Sequence, residues 1–297
     1  MNRKVGDAVR VEQVMLLSLL QIGLSSCVDE GARTSGEPGG GTTSTTTAGL
    51  TPDPRGERVA LTMDVATVVW VQIEPPLRPQ LNASFCRFPG AFAWAYRVAQ
   101  EGPCRLLEWP GTPPTDTVNL DAGEIVVEVA GMTVPLAAPD PAWPCHREPV
   151  MPLPPLVPGD LVRVRSTGGA DIPAFDLALA VPSPSRLSDL AEGSELLAGD
   201  AWDLSVTSQP AATTLLEIYG PGQDAAPPTL LSCRGEGLSA VHLSPGVTAL
   251  WPTTRPRASI RAGADVEMSA GSGGPKLRIT HWESAAGVDA SVVRSVL

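Results

Sequence analysis

The sequence has few aromatic residues, few histidines and almost no lysine. Aromatic residues make up 4% of the 297 residues, three residues are histidine, and Lys4 and Lys276 are the lysines. Motifs for phosphate-binding loops, dinucleotide-binding folds, nucleophile elbows and zinc-peptidase helices are also missing. The net charge is −11 and the sequence contains no basic run. These absences exclude the common motif-bearing enzyme classes and argue against nucleic acid as a partner.

Long apolar runs are missing too. The apolar stretch near the N-terminus, residues 14–24, is shorter than the roughly 20 residues that a membrane-spanning helix needs. Basic residues precede this stretch and two serines follow it. A basic start, a short apolar core and small residues before a cleavage point are the parts of an export signal, so we predict a signal peptide over residues 1–26.

The predicted signal peptide ends in Leu24-Ser25-Ser26, and Cys27 follows it. This tetrapeptide resembles the lipobox of bacterial lipoproteins, in which an aliphatic residue and two small residues precede a lipidated cysteine. The resemblance implies that a lipoprotein signal peptidase cuts before Cys27 after the thiol has received a diacylglyceryl group. It also implies outer-membrane rather than inner-membrane delivery, because Val28 stands where an aspartate would favour retention. The implied partner is a membrane, to which the N-terminal lipid would hold the protein.

Residues 27–57 combine the lipidated N-terminus with a segment rich in glycine, serine and threonine. Large apolar side chains are almost absent from this segment. Such a composition cannot bury enough surface to offset the entropy of ordering the chain. We predict a flexible tether with a reach of roughly 30 Å.

The rest of the chain has short apolar runs between turn signals. The sequence holds 31 prolines and 29 glycines, and no long stretch has helical periodicity. This pattern is typical of antiparallel sandwiches, so the sequence predicts an all-β fold. The predicted strands cover residues 68–73, 92–96, 125–129, 161–165, 175–179, 202–206, 214–219, 258–261, 266–268 and 277–280.

A weak internal similarity in the sequence suggests two units. Residues 159–180 and residues 263–281 each contain a strand, a Gly-Gly pair and a second strand, which predicts two similar hairpins. A coincidence in a glycine-rich β chain is the alternative reading. Between the two segments, residues 186–197 are the one stretch where a short helix is expected.

This internal similarity predicts two immunoglobulin-like sandwiches in tandem, at residues 58–184 and 195–286, with a C-terminal tail at 287–297. The layout resembles uncharacterised bacterial lipoproteins in which a Thr/Gly/Ser tether precedes immunoglobulin-like sandwiches. That resemblance brings no catalytic residues with it.

Five cysteines in an exported chain divide into the lipidated Cys27 and four that can pair. Cys86, Cys104, Cys145 and Cys233 allow three connectivities. The simplest joins Cys86 to Cys104 and Cys145 to Cys233. A metal site is the rival reading, but no Cys-x-x-Cys spacing is present.

Histidines and carboxylates give weaker candidates. His146, His242 and His281 could converge on a metal, although each reads more simply as a strand or loop residue. Asp171 and Asp176 are the carboxylate pair to inspect for sugar hydrolysis, although both residue types are common in turns. We predict no catalytic residues, no metal and no cofactor.

The candidate ligand contacts are aromatic. Phe92, Trp94 and Tyr96 alternate with alanines, so a strand would place the three rings on one face. An exposed face would be a stacking platform for sugars, whereas a buried face would be core. We favour the core reading, because large exposed apolar patches are rare on monomers.

The resulting functional hypothesis is an envelope-anchored lipoprotein with a non-enzymatic binding or structural role, meeting another envelope protein or a glycan. Two alternatives stay open. One is a lipid-anchored hydrolase, which a concave pocket that gathers two acids or two histidines with strongly shifted ionisation would favour. The other is a carbohydrate-binding module that uses the aromatic strand.

Overall fold

The computed structural model describes residues 59–108, 117–139, 145–191, 193–209, 211–220, 229–251, 257–284 and 287–294. The signal peptide, Cys27 and the tether lie outside these ranges. The described part is almost entirely strand, which confirms the predicted all-β class. Its single helix, α1, covers Pro245–Thr248, and no described helix has the length and apolarity to cross a bilayer.

The strands vary in length from two to 22 residues. They are β1 Val59–Ile73, β2 Gln80–Glu101, β3 Cys104–Glu108, β4 Val118–Asn119, β5 Ile125–Val129, β6 Met132–Pro135, β7 His146–Arg147, β8 Leu161–Ser166, β9 Phe175–Ala180, β10 Arg186–Leu187, β11 Glu195–Ala198, β12 Trp202–Thr207, β13 Thr213–Gly220, β14 Thr229–Glu236, β15 Ala240–Leu243, β16 Arg257–Ser269, β17 Lys276–Trp282 and β18 Val288–Arg294.

The central feature is a closed ring of strands. Antiparallel pairing runs from β1 through β2, β3, β14, β13 and β16 to β17. A parallel pairing of β17 with β1 then closes the circuit, with Val68 opposite Lys276 and Ile73 opposite His281. We call these strands the ring. Strands from both ends of the chain therefore complete one another's hydrogen bonds.

Two smaller sheets cover the outside of the ring. The first outer sheet has the order β6-β5-β8-β9 and the second has the order β10-β12-β15. The first packs on β1, β2 and β17 through an apolar core that includes Val71, Phe85, Val127 and Ile279. Phe85 stacks on Phe175 across this layer, with ring centroids 6.3 Å apart.

The second outer sheet packs on the opposite wall of the ring. Leu204 of β12 and Leu243 of β15 meet Leu216, Leu231 and neighbouring residues of β13, β14, β3 and β16. Each outer sheet thus forms a face-to-face sandwich with one wall of the ring. Because side chains alternate along a strand, the residues between these outward-facing positions point into the ring interior.

All ten predicted strand segments lie within strands of the structure. The predicted hairpins are also present, because β8 pairs with β9 and β16 pairs with β17. They lie in different surroundings: the first is in an outer sheet and the second is in the ring. The division into sandwiches at 58–184 and 195–286 and their immunoglobulin-like character stay predictions. The pairings show that strands from both segments build the ring.

The helix expected over residues 186–197 is wrong. The described residues of this stretch contain β10 and most of β11 instead. Arg186 pairs with Thr207 of β12, and Leu196 pairs with Val292 of β18. Pairing with distant strands therefore overrides the local helical tendency of this segment.

Candidate functional site

The interior of the ring is apolar at one end and charged at the other. The apolar end contains Val68, Trp70, Phe88, Leu107 and Leu230. Further along the same strands, the inward positions are mostly polar or charged. They include Arg105 of β3, Glu217 of β13, Arg234 of β14, Arg261 and Asp265 of β16, and Arg278 and Thr280 of β17.

Arg261 is the centre of one charge cluster in the interior. Its Nη1 donates to Glu74 at 2.7 Å, and its Nη2 donates to Glu217 at 3.0 Å and to the Tyr219 hydroxyl at 2.7 Å. Its guanidinium carbon lies 3.9 Å from the Trp282 ring centroid and 4.8 Å from that of Tyr219. This side chain is therefore held by ion pairs and by aromatic faces at once.

Two members of this cluster, Arg261 and Tyr219, have shifted pKa values. Burial alone would lower the pKa of Arg261, but nearby Tyr219, Glu217 and Glu74 raise it above its ordinary value. Burial raises the pKa of Tyr219 well above its ordinary value. Its neutral hydroxyl donates to Glu217. The arginine stays charged and the tyrosine stays neutral across the physiological pH range.

Asp265 is the centre of a second cluster. Its Oδ1 accepts hydrogen bonds from Arg278 Nε at 2.7 Å and from the Thr280 hydroxyl at 2.8 Å. Thr280 in turn accepts a hydrogen bond from the indole nitrogen of Trp70 at 2.9 Å. Arg234 Nη2 lies 2.8 Å from Asp265 Oδ2, an ion-pair contact without the direction of a hydrogen bond. The carboxylate itself is fully buried.

Gly263 has no side chain, and the ring of Trp282 occupies the space where one would lie. A Cβ on this residue would lie 2.7 Å from a ring carbon of Trp282 and 3.0 Å from the His281 carbonyl oxygen. Trp282 is fully buried against Arg261. The glycine therefore allows the indole ring to enter the interior.

A cavity of about 300 Å³ opens at the charged end of the ring interior, and we call it the mouth pocket. It lies between the β2–β3 turn, β13, β14 and β17. Gly102 begins this turn with a φ of 53°, a conformation that favours glycine. The lining residues are Gln100, Gly102, Pro103, Arg105, Thr213, Leu215, Glu217, Ser232, Arg234, Gly235, Glu236 and Arg278.

Two arginines of the mouth pocket have unused hydrogen-bond donors. Arg234 Nη1 is buried and has no hydrogen-bond partner in the described part of the chain. Arg105 makes no ion pair with any described residue. Burial lowers the pKa of Arg234, and the Asp265 carboxylate partly opposes this shift. A buried donor without a partner costs about 1–3 kcal/mol, which an incoming acceptor would recover.

A disulfide holds the backbone behind both arginines. Cys104 and Cys233 are directly opposite in the β3–β14 pairing and form a disulfide with a Cα–Cα distance of 3.9 Å. Arg105 and Arg234 are the next residues on the two strands. The disulfide lies in the apolar core between the ring and the second outer sheet. Side chains alternate along a strand, so the next side chain on each strand faces the ring interior.

The four candidate cysteines are all in disulfides, but the simplest pairing is wrong. The second bridge joins Cys86 to Cys145, not to Cys104. The reason is the ring: it brings β3 beside β14 and the start of β7 beside β2, which are contacts between distant parts of the sequence. Cys27 lies outside the described residues.

The histidines do not converge. His146 lies 3.3 Å from Glu148, and His242 Nδ1 lies 2.7 Å from Asp203. His281 Nδ1 bonds the Pro182 carbonyl oxygen at 2.8 Å. Within the described ranges no group of three or more histidine, cysteine or acidic side chains is placed to hold a metal ion.

Asp171 and Asp176 have separate partners. The Asp171 carboxylate accepts a hydrogen bond from the Asp121 backbone at 2.8 Å, whereas Asp176 forms an exposed ion pair with Arg163. Both interactions suit the structural reading of these residues rather than a pair of catalytic acids.

The aromatic strand is described in part. Phe92, Trp94 and Tyr96 lie in β2, and Tyr96 is half-buried. The side chains of Phe92 and Trp94 lie outside the description. The choice between a platform and core for this trio stays a prediction.

The sequence reasoning missed the interior charges. One signal was available: Glu217 lies between Leu216 and Ile218 in an otherwise apolar strand. A charge in such a strand indicates a buried partner.

No protein-family model, curated protein or solved structure matches the chain.

Proposed function

We propose that this chain is an exported, lipid-anchored binding protein of the bacterial envelope, and that its ligand site is the mouth pocket. The observation that carries the binding role is the pair of unused arginine donors in a cavity of about 300 Å³, those of Arg105 and the buried Nη1 of Arg234. Ligand sites are concave and hold a few fixed polar groups, and cavities of this size are at the small end of their range.

The proposed location has two supports. The lipobox at Leu24–Cys27 supports a lipid anchor on Cys27. The disulfides Cys86–Cys145 and Cys104–Cys233 support folding in an oxidising compartment, because structural disulfides are rare in the reducing cytosol. With these four thiols paired, Cys27 is the cysteine left for lipidation.

A binding role fits the pocket better than a hydrolytic one. Glu217 accepts hydrogen bonds from Arg261 and Tyr219, so its carboxylate is committed to the interior cluster. The three histidines lie elsewhere in the structure, and Glu236 is on the exposed rim. The pocket supplies charged and polar groups to hold a ligand, without a base placed beside a nucleophile.

Labelling tests the anchor. Cells that express the full chain are grown with an alkyne-bearing palmitate analogue, beside cells that express Cys27→Ser. We expect label in the membrane fraction of the wild type and none in the variant. Labelling of the Cys27→Ser chain would contradict the anchor.

Recovered ligand tests the site. The full chain is purified from envelopes, and the small molecules that it releases on denaturation are identified by mass spectrometry. Thr213→Trp places a large ring in the mouth pocket, and Thr133→Trp on the exposed β6 is the matched control. We expect a stoichiometric compound from the wild type and the control only. Equal recovery from Thr213→Trp would refute binding in the mouth pocket.

A further inference from the structure

We infer that the mouth pocket binds a small hydroxylated monocarboxylate of the sugar-acid class, with its carboxylate between Arg105 and Arg234. This inference rests on the proposed binding function and adds the chemistry of the ligand. Three properties of the pocket lead to it: its charge balance, its hydrogen-bonding groups and its volume.

The charge balance favours one negative charge on the ligand. The interior and its pocket contain four guanidiniums, those of Arg105, Arg234, Arg261 and Arg278. The carboxylates of Glu74, Glu217 and Asp265 oppose them. A fourth carboxylate that acts on Arg234, that of Glu267, is paired with Lys276, so this pair adds no net charge. One positive charge is left over, at the mouth. Glu236 is on the exposed rim, where water screens it.

The donor geometry favours a carboxylate. A guanidinium presents its N–H groups in a planar fork that matches the two oxygens of a carboxylate. Arg278 is already bonded to Asp265, whereas Arg234 Nη1 is buried without a partner and Arg105 has no ion pair with any described residue. A phosphate dianion carries one negative charge more than the single positive charge left over in the pocket.

The remaining lining favours a hydroxylated body. Thr213 and Ser232 offer two hydroxyls, each able to donate and to accept, and Gln100 offers its amide NH₂ group, because its Oε1 accepts a hydrogen bond from Arg97. A cavity of about 300 Å³ is at the small end of the range for ligand pockets. A single sugar acid suits that volume, whereas an oligosaccharide would extend out of the mouth.

The Cys104–Cys233 disulfide adds preorganisation. It holds β3 to β14 directly beside Arg105 and Arg234, so the two guanidiniums start from fixed backbone positions. Fixing the site before the ligand arrives reduces the ordering cost of binding.

Isothermal titration calorimetry of the unacylated full chain carrying Cys27→Ser tests the inference with three matched probes. These are D-glucuronate, its uncharged analogue D-glucose, and the dianion D-glucose 6-phosphate. We expect D-glucuronate to bind at least tenfold more tightly than either of the others. Arg105→Met, which breaks no ion pair with a described residue, and Arg234→Met should each weaken D-glucuronate at least tenfold. Arg163→Met on an outer sheet should leave the affinity unchanged.

The outcomes separate the two levels of the proposal. Glucose binding as tightly as glucuronate, or the phosphate binding more tightly, would overturn the monocarboxylate and leave the binding function standing. Unchanged glucuronate affinity in Arg105→Met would also overturn the assigned contact. If none of the probes binds while envelope-purified protein still releases another ligand class, the sugar-acid inference fails alone. Failure of the proposed function itself would appear as no ligand recovered from the mouth pocket.

Discussion

The two faces of the ring strands differ in what they bury. The outward face of β13 carries Leu216 and Ile218, which pack under the second outer sheet. The inward face of the same strand carries Glu217 and Tyr219, which bond Arg261. Both faces are enclosed, one by apolar packing and one by ion pairs. Alternation of apolar and charged residues therefore does not by itself mean that the charged face meets water.

The energetics of the two faces should differ in kind. Apolar side chains on the outer face contribute through burial and lose stability in proportion to the cavity left by truncation. The inner clusters depend on complete pairing, because removal of one partner leaves an uncompensated buried charge. Single substitutions can therefore separate the two faces.

The largest effect is expected at Arg261. Arg261→Met leaves the Glu74 and Glu217 carboxylates buried without their cation, and the expected loss in the free energy of unfolding is about 3–5 kcal/mol. Denaturant titration measures this loss. Arg163→Met is the control, because Arg163 pairs with Asp176 on an exposed face, and it should cost less than about 1 kcal/mol. Similar losses for both arginines would show that the inner face is solvated.

Leu216 tests the outer face. Leu216→Ala removes a fully buried side chain from the core beneath the second outer sheet, and such truncations cost about 2–5 kcal/mol. The same titration measures it. Leu161→Ala at an exposed position of β8 is its control and should change stability by about 0.5 kcal/mol or less. A small effect at Leu216 would mean that the second outer sheet does not cover β13.

Gly263 tests the fit of Trp282 in the interior. In Gly263→Ala the new methyl group would meet the buried indole ring, so we expect a loss of about 1–3 kcal/mol. Gly235→Ala is the matched control. Its Cβ would make an ordinary contact with Leu238 at 3.6 Å, and it should be close to neutral. If the two alanine variants are equally stable, Trp282 does not lie against Gly263.

The smallest expected effect is a difference in pH dependence between two histidines. Burial lowers the pKa of His281, so the unfolded chain takes up protons first and stability falls as the pH drops below about 6.5. The Asp203 carboxylate raises the pKa of exposed His242. Its contribution is therefore present at low pH and is lost as the pH rises through that raised pKa.

Unfolding titrations between pH 5 and 8 measure the two slopes. His281→Asn should flatten the fall in stability toward low pH, and His242→Asn should steepen it. Slopes that change in the same direction for both variants would contradict these assignments.

The sequence predicted the strands better than their partners. Hydrophobic runs such as residues 125–129 and 161–165 located β5 and β8, because local alternation determines where a strand forms. The ring could not be inferred, because its closing contact joins β1 to β17 across most of the chain. The same distance hid the correct disulfide pairing: Cys104 and Cys233 meet only because β3 lies beside β14.

The candidate site was harder still to predict. Arg105 follows Cys104 and Arg234 follows Cys233, yet neither stands out in a sequence with ordinary arginines elsewhere. Their importance depends on both facing one enclosed space. Residue type alone defines the predicted candidates, such as the three histidines and Asp171, and the structure gives each a local partner.

The central claim is that the ring closes through β1 and β17 around an enclosed interior. Amide hydrogen exchange along β1 tests it most directly. Residues Val68 to Gln72 pair with β2 on one side and with β17 on the other, so successive amides point to alternate partners. A closed ring predicts slow exchange at every one of these amides. Fast exchange at alternate amides would show that β1 is a free edge, and would contradict the closed ring and its enclosed pocket.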